Sequence, residues 1–194
     1  GPVTKPMVSR WRRRYPPAMR AAPGTLATAR LTLRRPREGD AEAIFGSYAS
    51  DPAATRYMGW PRHAAVTASH AYVALALAEW GTHGCGTYLI ERDGALIGST
   101  GLHLLGPVGA ATGYILTPAA WGQGYATEAC RAMVALGRDL GVARIEATCH
   151  TAHRASARVL EKAGLVSEGV RRADTVFPQL GAQLQDVLVY AWSG

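Results

Sequence analysis

The chain has 194 residues, 48% of them hydrophobic, which is enough for one good core and argues for one domain. No apolar run approaches the roughly 18 residues that a membrane span needs, so a soluble, cytoplasmic protein is expected and a membrane partner is not. The formal charge of +7 suggests nucleic acid until it is located. Lys5, Arg10, Arg12, Arg13, Arg14 and Arg20 fall in the first 20 residues, which hold no acid, and the remainder carries 15 basic against 14 acidic residues. The basic character therefore belongs to residues 1–24, read as a disordered arm in which Gly1-Pro2 is the scar of a cleaved tag. Contact with RNA or the ribosome is expected only through that arm. The arm has charge but no apolar segment behind it, so it is no secretory signal. Cys85, Cys130 and Cys149 are odd in number and show no CxxC spacing, which fits reduced structural thiols.

Regular structure is expected from Thr25 onward. Leu31-Thr-Leu33 reads as a strand closed by Arg35-Pro36. A helix follows, with Asp40 as N-cap and Ile44, Phe45 and Tyr48 on its apolar side. Asp51-Pro52 restarts a short helix or turn. Thr67 to Trp80 has Val73, Leu77 and Trp80 at helical spacing and is expected to stop at Gly81. The period then changes. Thr87–Arg92 and Ala95–Thr100 flank Asp93-Gly94, the strongest short hairpin signal. A third strand is expected over Thr112–Leu116, a helix over Ala126–Leu140 ending at Gly141, and a strand over Val142–Cys149. A helix over Arg154–Ala163 stopped by Gly164 comes next, and then strands near Leu165–Arg171 and Leu184–Tyr190. The pattern is α/β: a mixed, mostly antiparallel sheet with one central parallel crossover and helices on both faces.

The stretch from strand to helix, Ile115-Leu-Thr-Pro-Ala-Ala-Trp-Gly-Gln-Gly-Tyr-Ala-Thr-Glu128, places Gly122 and Gly124 where a strand has ended and a helix begins. Glycine can serve there simply as a tight turn. A Walker loop is excluded, because no Gly-Lys-Ser/Thr follows. A dinucleotide fingerprint would use Glu146 on the ribose, but Thr127 replaces its third glycine and the upstream strands are hairpins. The remaining reading is a pyrophosphate held by successive amides of Gly122, Gln123, Gly124, Tyr125 and Ala126 at the positive end of the following helix, with Thr127 adding a hydroxyl.

Gly113-Tyr-Ile-Leu-Thr-Pro118, Trp121-Gly-Gln-Gly-Tyr-Ala-Thr-Glu128, Arg144-Ile-Glu-Ala147, Ser156, Glu161-Lys-Ala-Gly164 and Glu168-Gly169 resemble the GNAT acetyltransferases. More narrowly they resemble the branch that includes the RimJ/RimL ribosomal-protein N-terminal acetyltransferases. The likeness follows element order from about Leu26 to Trp192 and is dense between Gly113 and Arg171. It implies the GNAT fold, acetyl-CoA as donor and transfer of an acetyl group to an amine. It implies that Trp121 to Ala126 form the pyrophosphate loop, with Trp121 where many members have Arg or Gln. It also implies that Ile115, Leu116 and Thr117 hold the pantetheine arm through their backbone and polarise the thioester, and that Ser156 lies near the sulfur. Many members place a tyrosine at the position of Leu160, which cannot donate a proton. The family commonly has Asn where this chain has His153. That histidine either contacts the cofactor or caps the helix that follows it. A metal pair of His150 and His153 lacks a third ligand at suitable spacing, so no metal is expected.

Acetyl transfer to an amine also needs a proton acceptor. The candidates are Glu146, on the strand that carries the base in many members, and Asp174, after Glu168-Gly169. His103 on the hairpin is a third, and water with no dedicated base remains open. Tyr57, Trp60 and His103 are the expected acceptor-binding residues, and aromatics in the Tyr57–Trp60 loop suit an amphipathic acceptor. The expected acceptor is a protein N-terminus or a small-molecule amine such as an antibiotic, on a monomer or homodimer. The alternatives are a silent acyl-CoA-binding module and an RNA- or ribosome-associated protein addressed by its arm.

Overall fold

The computed structural model describes residues 20–194, so most of the basic arm lies outside the described residues. The last residues assigned to the arm by composition are packed against the domain. Ala22 is buried, its N–H donates to the Gly84 carbonyl at 2.8 Å, and the Tyr88 hydroxyl donates to the Pro23 carbonyl at 2.6 Å.

Among the described residues eight strands form one sheet in the order β1-β2-β3-β4-β5-β6-β8-β7. They are β1 (Thr25–Ala27), β2 (Thr32–Arg34), β3 (Thr87–Arg92), β4 (Ala95–Leu105), β5 (Gly109–Leu116), β6 (Arg144–His150), β7 (Val166–Val176) and β8 (Leu184–Ser193). Every neighbouring pair is antiparallel except β5 and β6, which run parallel. The β3–β4 turn is the hairpin expected from Asp93-Gly94, with φ of 51° and 79° at its two residues. The third strand begins three residues earlier than its apolar pattern suggests, because Gly109–Ala111 is the part that pairs with β6.

Helices cover both faces. α4 (Tyr125–Asp139) and α5 (Arg154–Lys162) pack on one face against Leu102, Leu116, Ile145 and Tyr190. α1 (Ala41–Ile44), its π-helical extension Phe45–Ala49 and α3 (Val66–His83) pack on the other against Leu89 and Ile115. α2 (Pro52–Thr55) is capped by Asp51, whose carboxylate accepts from the Ala54 N–H at 2.7 Å.

Two sequence expectations fail for physical reasons. Gly81 lies inside α3, and Gly84 ends the helix instead. Gly84 takes the left-handed conformation (φ 69°) and returns its N–H to the Trp80 carbonyl at 2.9 Å. Asp40 precedes α1 but does not cap it, because its side chain points backward. It accepts from the Arg37 N–H at 2.6 Å and from both terminal nitrogens of Arg34 at 2.8 and 2.9 Å. Arg34 also binds Glu91 at 2.7 Å, so one guanidinium ties β2 to β3 and to the first helix. Burial alone would raise the Asp40 carboxyl, but Arg34 and the Arg37 N–H outweigh it and hold it below its ordinary 3.8.

Asp40→Ala leaves that guanidinium half-paired in a poorly hydrated position, which is expected to cost about 3 kcal/mol and to lower the urea midpoint. Because the folded carboxyl is depressed, its stabilisation is complete above the ordinary carboxylate value and is lost as the pH falls through the depressed one. The wild type should therefore lose stability in acid more steeply than Asp40→Asn, which can be followed by urea denaturation at successive pH values.

Candidate active site

The parallel pairing of β5 with β6 runs only from Gly109–Arg144 to Ala111–Glu146. Beyond that point β5 stays paired with β4 as far as Leu116, and β6 stays paired with β8 as far as His150. The two strands therefore part and leave a wedge-shaped cleft with Glu146 at its apex. The antiparallel ladder with β4 decides which groups face the cleft. The Thr117 N–H donates to the Ile97 carbonyl at 2.8 Å, so by alternation the backbone of Ile115 faces β4 while the N–H groups of Tyr114 and Leu116 face the opening. Thr117 also gives its carbonyl to the Ala120 N–H, and the Leu116 carbonyl accepts the Trp121 indole N–H at 3.0 Å. The expectation that Ile115, Leu116 and Thr117 all present backbone groups thus narrows to the Leu116 N–H, with the Tyr114 backbone added.

At the cleft mouth, Gly122 and Gly124 both adopt left-handed φ, 72° and 81°. Gly124 is the N-cap of α4 and offers no side chain to its first-turn amides, which have no intrahelical acceptor. A Cβ at Gly122 would meet nothing within 4 Å, and one at Gly124 would meet only the Arg30 guanidinium at 3.3 Å. The loop is bare toward solvent and suits an anion. Gln123 braces it by donating to the Ala119 carbonyl at 3.1 Å. Trp121 is half-exposed, Ala126 is partly buried, and Thr127 and Tyr125 are buried beneath.

Sequence reasoning missed Arg30, which holds this loop from the β1–β2 turn. It donates to the Gln123 carbonyl at 2.8 Å and to Glu128 at 2.7 Å, and its guanidinium lies 4.5 Å above the Tyr125 ring. Glu128 also accepts from the Arg30 N–H and from Thr28. Only the fold joins residues nearly a hundred positions apart, so no local pattern could have revealed the contact.

Inside the cleft, Ser156 of α5 is buried and its hydroxyl lies 2.7 Å from the Tyr114 hydroxyl of β5. Leu160, at the position where many GNAT members have tyrosine, is a core residue. The nearby phenol comes instead from the strand. Burial, more than any neighbour, raises the Tyr114 hydroxyl above its ordinary value, so it stays protonated and able to donate.

On the opposite face of β6, Glu146, Thr148 and His150 alternate outward. Tyr57 stacks on His150 at 5.1 Å and on His153 at 4.6 Å, and Phe177 meets the edge of His150 at 4.9 Å. Tyr57 and Trp60 lie on a loop pinned by Gln179, whose amide donates to the carbonyls of Thr55 and Trp60 at 2.6 and 3.1 Å. Gln179 sits in the β7–β8 connection, and no sequence signal pointed to it. His103 lies apart from this cluster on β4, bonded to Glu79 of α3 at 2.7 Å. Glu146 is held by Arg171 at 3.0 Å and by Arg144 at 3.1 Å, which keep its carboxyl below the usual 4.5. Asp174 lies in the same network, 3.6 Å from Arg171 and accepting from Thr175. His153 occupies the N-cap position of α5 but makes no side-chain cap bond, which removes the capping reading.

Arg30→Ala removes the charged brace from the glycine loop. A charge-assisted hydrogen bond contributes about 1.5–3 kcal/mol, so amide exchange over residues 122–126 is expected to accelerate at least roughly tenfold in hydrogen-exchange mass spectrometry. The core strands should keep their protection.

Comparison with known proteins follows the same lines. Residues 30–166 match the acetyltransferase (GNAT) domain family. The chain is 36% identical over 156 residues to the uncharacterized N-acetyltransferase YoaA of Bacillus subtilis (strain 168), covering 76% of this chain and 85% of that one. Among solved structures it is similar in fold to the ribosomal L7/L12 alpha-N-protein acetyltransferase RimL in complex with coenzyme A. There the TM-score is 0.77 at 20% identity, over 87% of this chain and 97% of that one. It is also similar to the microcin C7 self-immunity acetyltransferase MccE in complex with acetyl-CoA and AMP, with a TM-score of 0.80 at 18% identity over 90% and 98% of the two chains. A sheet parted between β5 and β6, a glycine loop opening a helix beside the gap, and this match over most of the domain place the chain in the GNAT family of acetyltransferases.

Proposed function

We propose that this protein moves an acetyl group from acetyl-CoA to a primary amine, by direct attack while both are bound. The observation that carries the reading is the cleft itself. Its mouth holds a glycine loop that exposes first-turn amides, and its interior holds the Ser156–Tyr114 hydroxyl pair. The residues present fit the cofactor. Amides of Gly122 to Ala126 would hold the pyrophosphate, because no Cβ stands over Gly122 and the helix end is positive. The edge of β5 at Tyr114 and Leu116 would hold the pantetheine arm. When bound, acetyl-CoA supplies a thioester-activated acetyl group.

The chain's own groups then have distinct tasks. The Leu116 N–H faces the position where carbonyl charge grows. Ser156 stands where a leaving thiolate needs a proton, and its hydroxyl is hydrogen-bonded to that of Tyr114, a pair in which either oxygen can be the donor. The amine enters from the face lined by Tyr57 and Trp60. The acceptor class is a protein N-terminus or a small-molecule amine. The neighbours RimL and MccE are a ribosomal alpha-N-protein acetyltransferase and a microcin C7 self-immunity acetyltransferase, and the open aromatic face here suits a protein or a small-molecule acceptor.

The test is thiol release from acetyl-CoA with a panel of peptides of different N-terminal residues, aminoglycosides and polyamines. Release with one acceptor class supports the reading, whereas tight CoA binding without release for any amine would leave a binding module. Gly124→Glu puts a carboxylate in the phosphate cradle, where like charge costs several kcal/mol, so CoA affinity should fall at least about 100-fold. Titration calorimetry reads this loss, with the far-UV spectrum checking the fold. Unchanged affinity would sink the cradle assignment.

A further inference from the structure

Resting on the acetyltransferase reading, we propose that His153 is the catalytic base that takes the proton from the acceptor ammonium. The candidate groups around the cleft are otherwise engaged. Glu146 is clamped by Arg171 and Arg144, Asp174 is bound by Thr175 and faces Arg171, and Asp186 is held by Arg172 and the Ala173 N–H. His103 is paired with Glu79. His150 uses both ring nitrogens: Nδ1 accepts from the Ala152 N–H at 3.0 Å, which leaves Nε2 to donate to Gln185 at 2.7 Å. His153 is different. Among the described residues neither of its ring nitrogens has a hydrogen-bond partner, yet the ring is half-buried and fixed by stacking on Tyr57 at 4.6 Å and 24°. It stands three residues before Ser156 at the start of α5, and its ring stacks on Tyr57 of the aromatic face proposed for the amine.

Its surroundings favour the unprotonated ring. The groups recorded against it are Tyr57, with the Arg56 guanidinium 5.5 Å from the Tyr57 ring, and His150, which stacks on the same Tyr57. It also sits at the positive end of α5, which disfavours an imidazolium. Burial first, and His150 second, lower its value below the ordinary 6.5, so the neutral form persists into mildly acidic solution.

Protons and bonds balance. One proton of the ammonium passes to a ring nitrogen of His153. The freed amine lone pair forms the C–N bond as the C–S bond breaks. A second proton, shed by the nitrogen, reaches the departing sulfur through Ser156, whose hydroxyl gives one proton and receives one. His153 then returns its proton to water.

The test uses the full chain, the amine that gives thiol release in the panel above, and His153→Asn, which keeps a hydrogen-bonding side chain but cannot take a proton. A general base contributes about 10²–10⁴-fold, so kcat/KM for the amine should fall at least about 100-fold. The acidic limb of the wild-type pH profile should disappear, and added imidazole should restore rate to His153→Ala. In the protein without ligands, NMR titration of labelled histidines should place His153 below 6.5, the same value that sets the acidic limb. The proposal is overturned if His153→Asn keeps the acidic limb and only raises KM for acetyl-CoA, which is the signature of a positioning role. It is likewise overturned if His153 titrates at or above the ordinary value. Absence of thiol release by the wild type with every amine, despite CoA binding, would instead overturn the acetyltransferase reading and this inference with it.

Discussion

The parting of β5 from β6 beyond Ala111 and Glu146 is the constraint on which the rest of the molecule depends. Each strand is fully committed to its other neighbour, β5 to β4 and β6 to β8, so the sheet stays continuous and stable while one seam opens. An open seam leaves backbone donors without partners, which is costly in a core and tolerable only where a ligand or water can reach them. The cleft is therefore a break in the sheet that leaves backbone groups of β5 open to a ligand or water. α5 lines it on one side, and the glycine turn into α4 opens at its end, so the same irregularity gathers the glycine turn, the hydroxyl pair and His153 around one cleft.

Charge around the site is arranged so that acids are occupied. Arg30 takes Glu128, Arg144 and Arg171 take Glu146, and Arg172 takes Asp186. These ion pairs are mostly near the surface and add little to stability individually. Their effect is positional: they brace the glycine loop and the cleft apex, and they leave carboxylates that are poor proton acceptors. Among the described residues the His153 imidazole makes no such pair. The aromatic stack of Tyr57 on His150 and His153 fixes a loop against a strand end, as Arg30 fixes the glycine loop, through residues distant in the chain.

Much of the molecule was legible before folding. The order of strands and helices, the hairpin at Asp93-Gly94, the single parallel crossover and the glycine loop with its helix all follow from period, turn chemistry and glycine placement, which act over a few residues. Helix ends were less legible. Gly81 and Gly84 are equivalent in composition, and only packing of the Ala22 segment on the Gly84 carbonyl decides between them. Asp40 looked like a cap because it precedes a helix, but the Arg34 guanidinium at the end of the preceding strand made a stronger claim on it.

By itself the amino-acid sequence determined the fold class, the glycine turn that opens α4 and the resemblance of Ser156 to a residue beside the thioester, because each rests on local spacing. Only the tertiary structure decided which groups share the cleft. Tyr114 reaches Ser156 from 42 positions away, Arg30 holds Gln123 from 93, and Gln179 pins the Tyr57–Trp60 loop from well over a hundred. It also separated the carboxylates that are clamped from the histidine that is not. Hydrogen bonds and ion pairs act over a few ångströms in space, and distance along the chain carries no record of them.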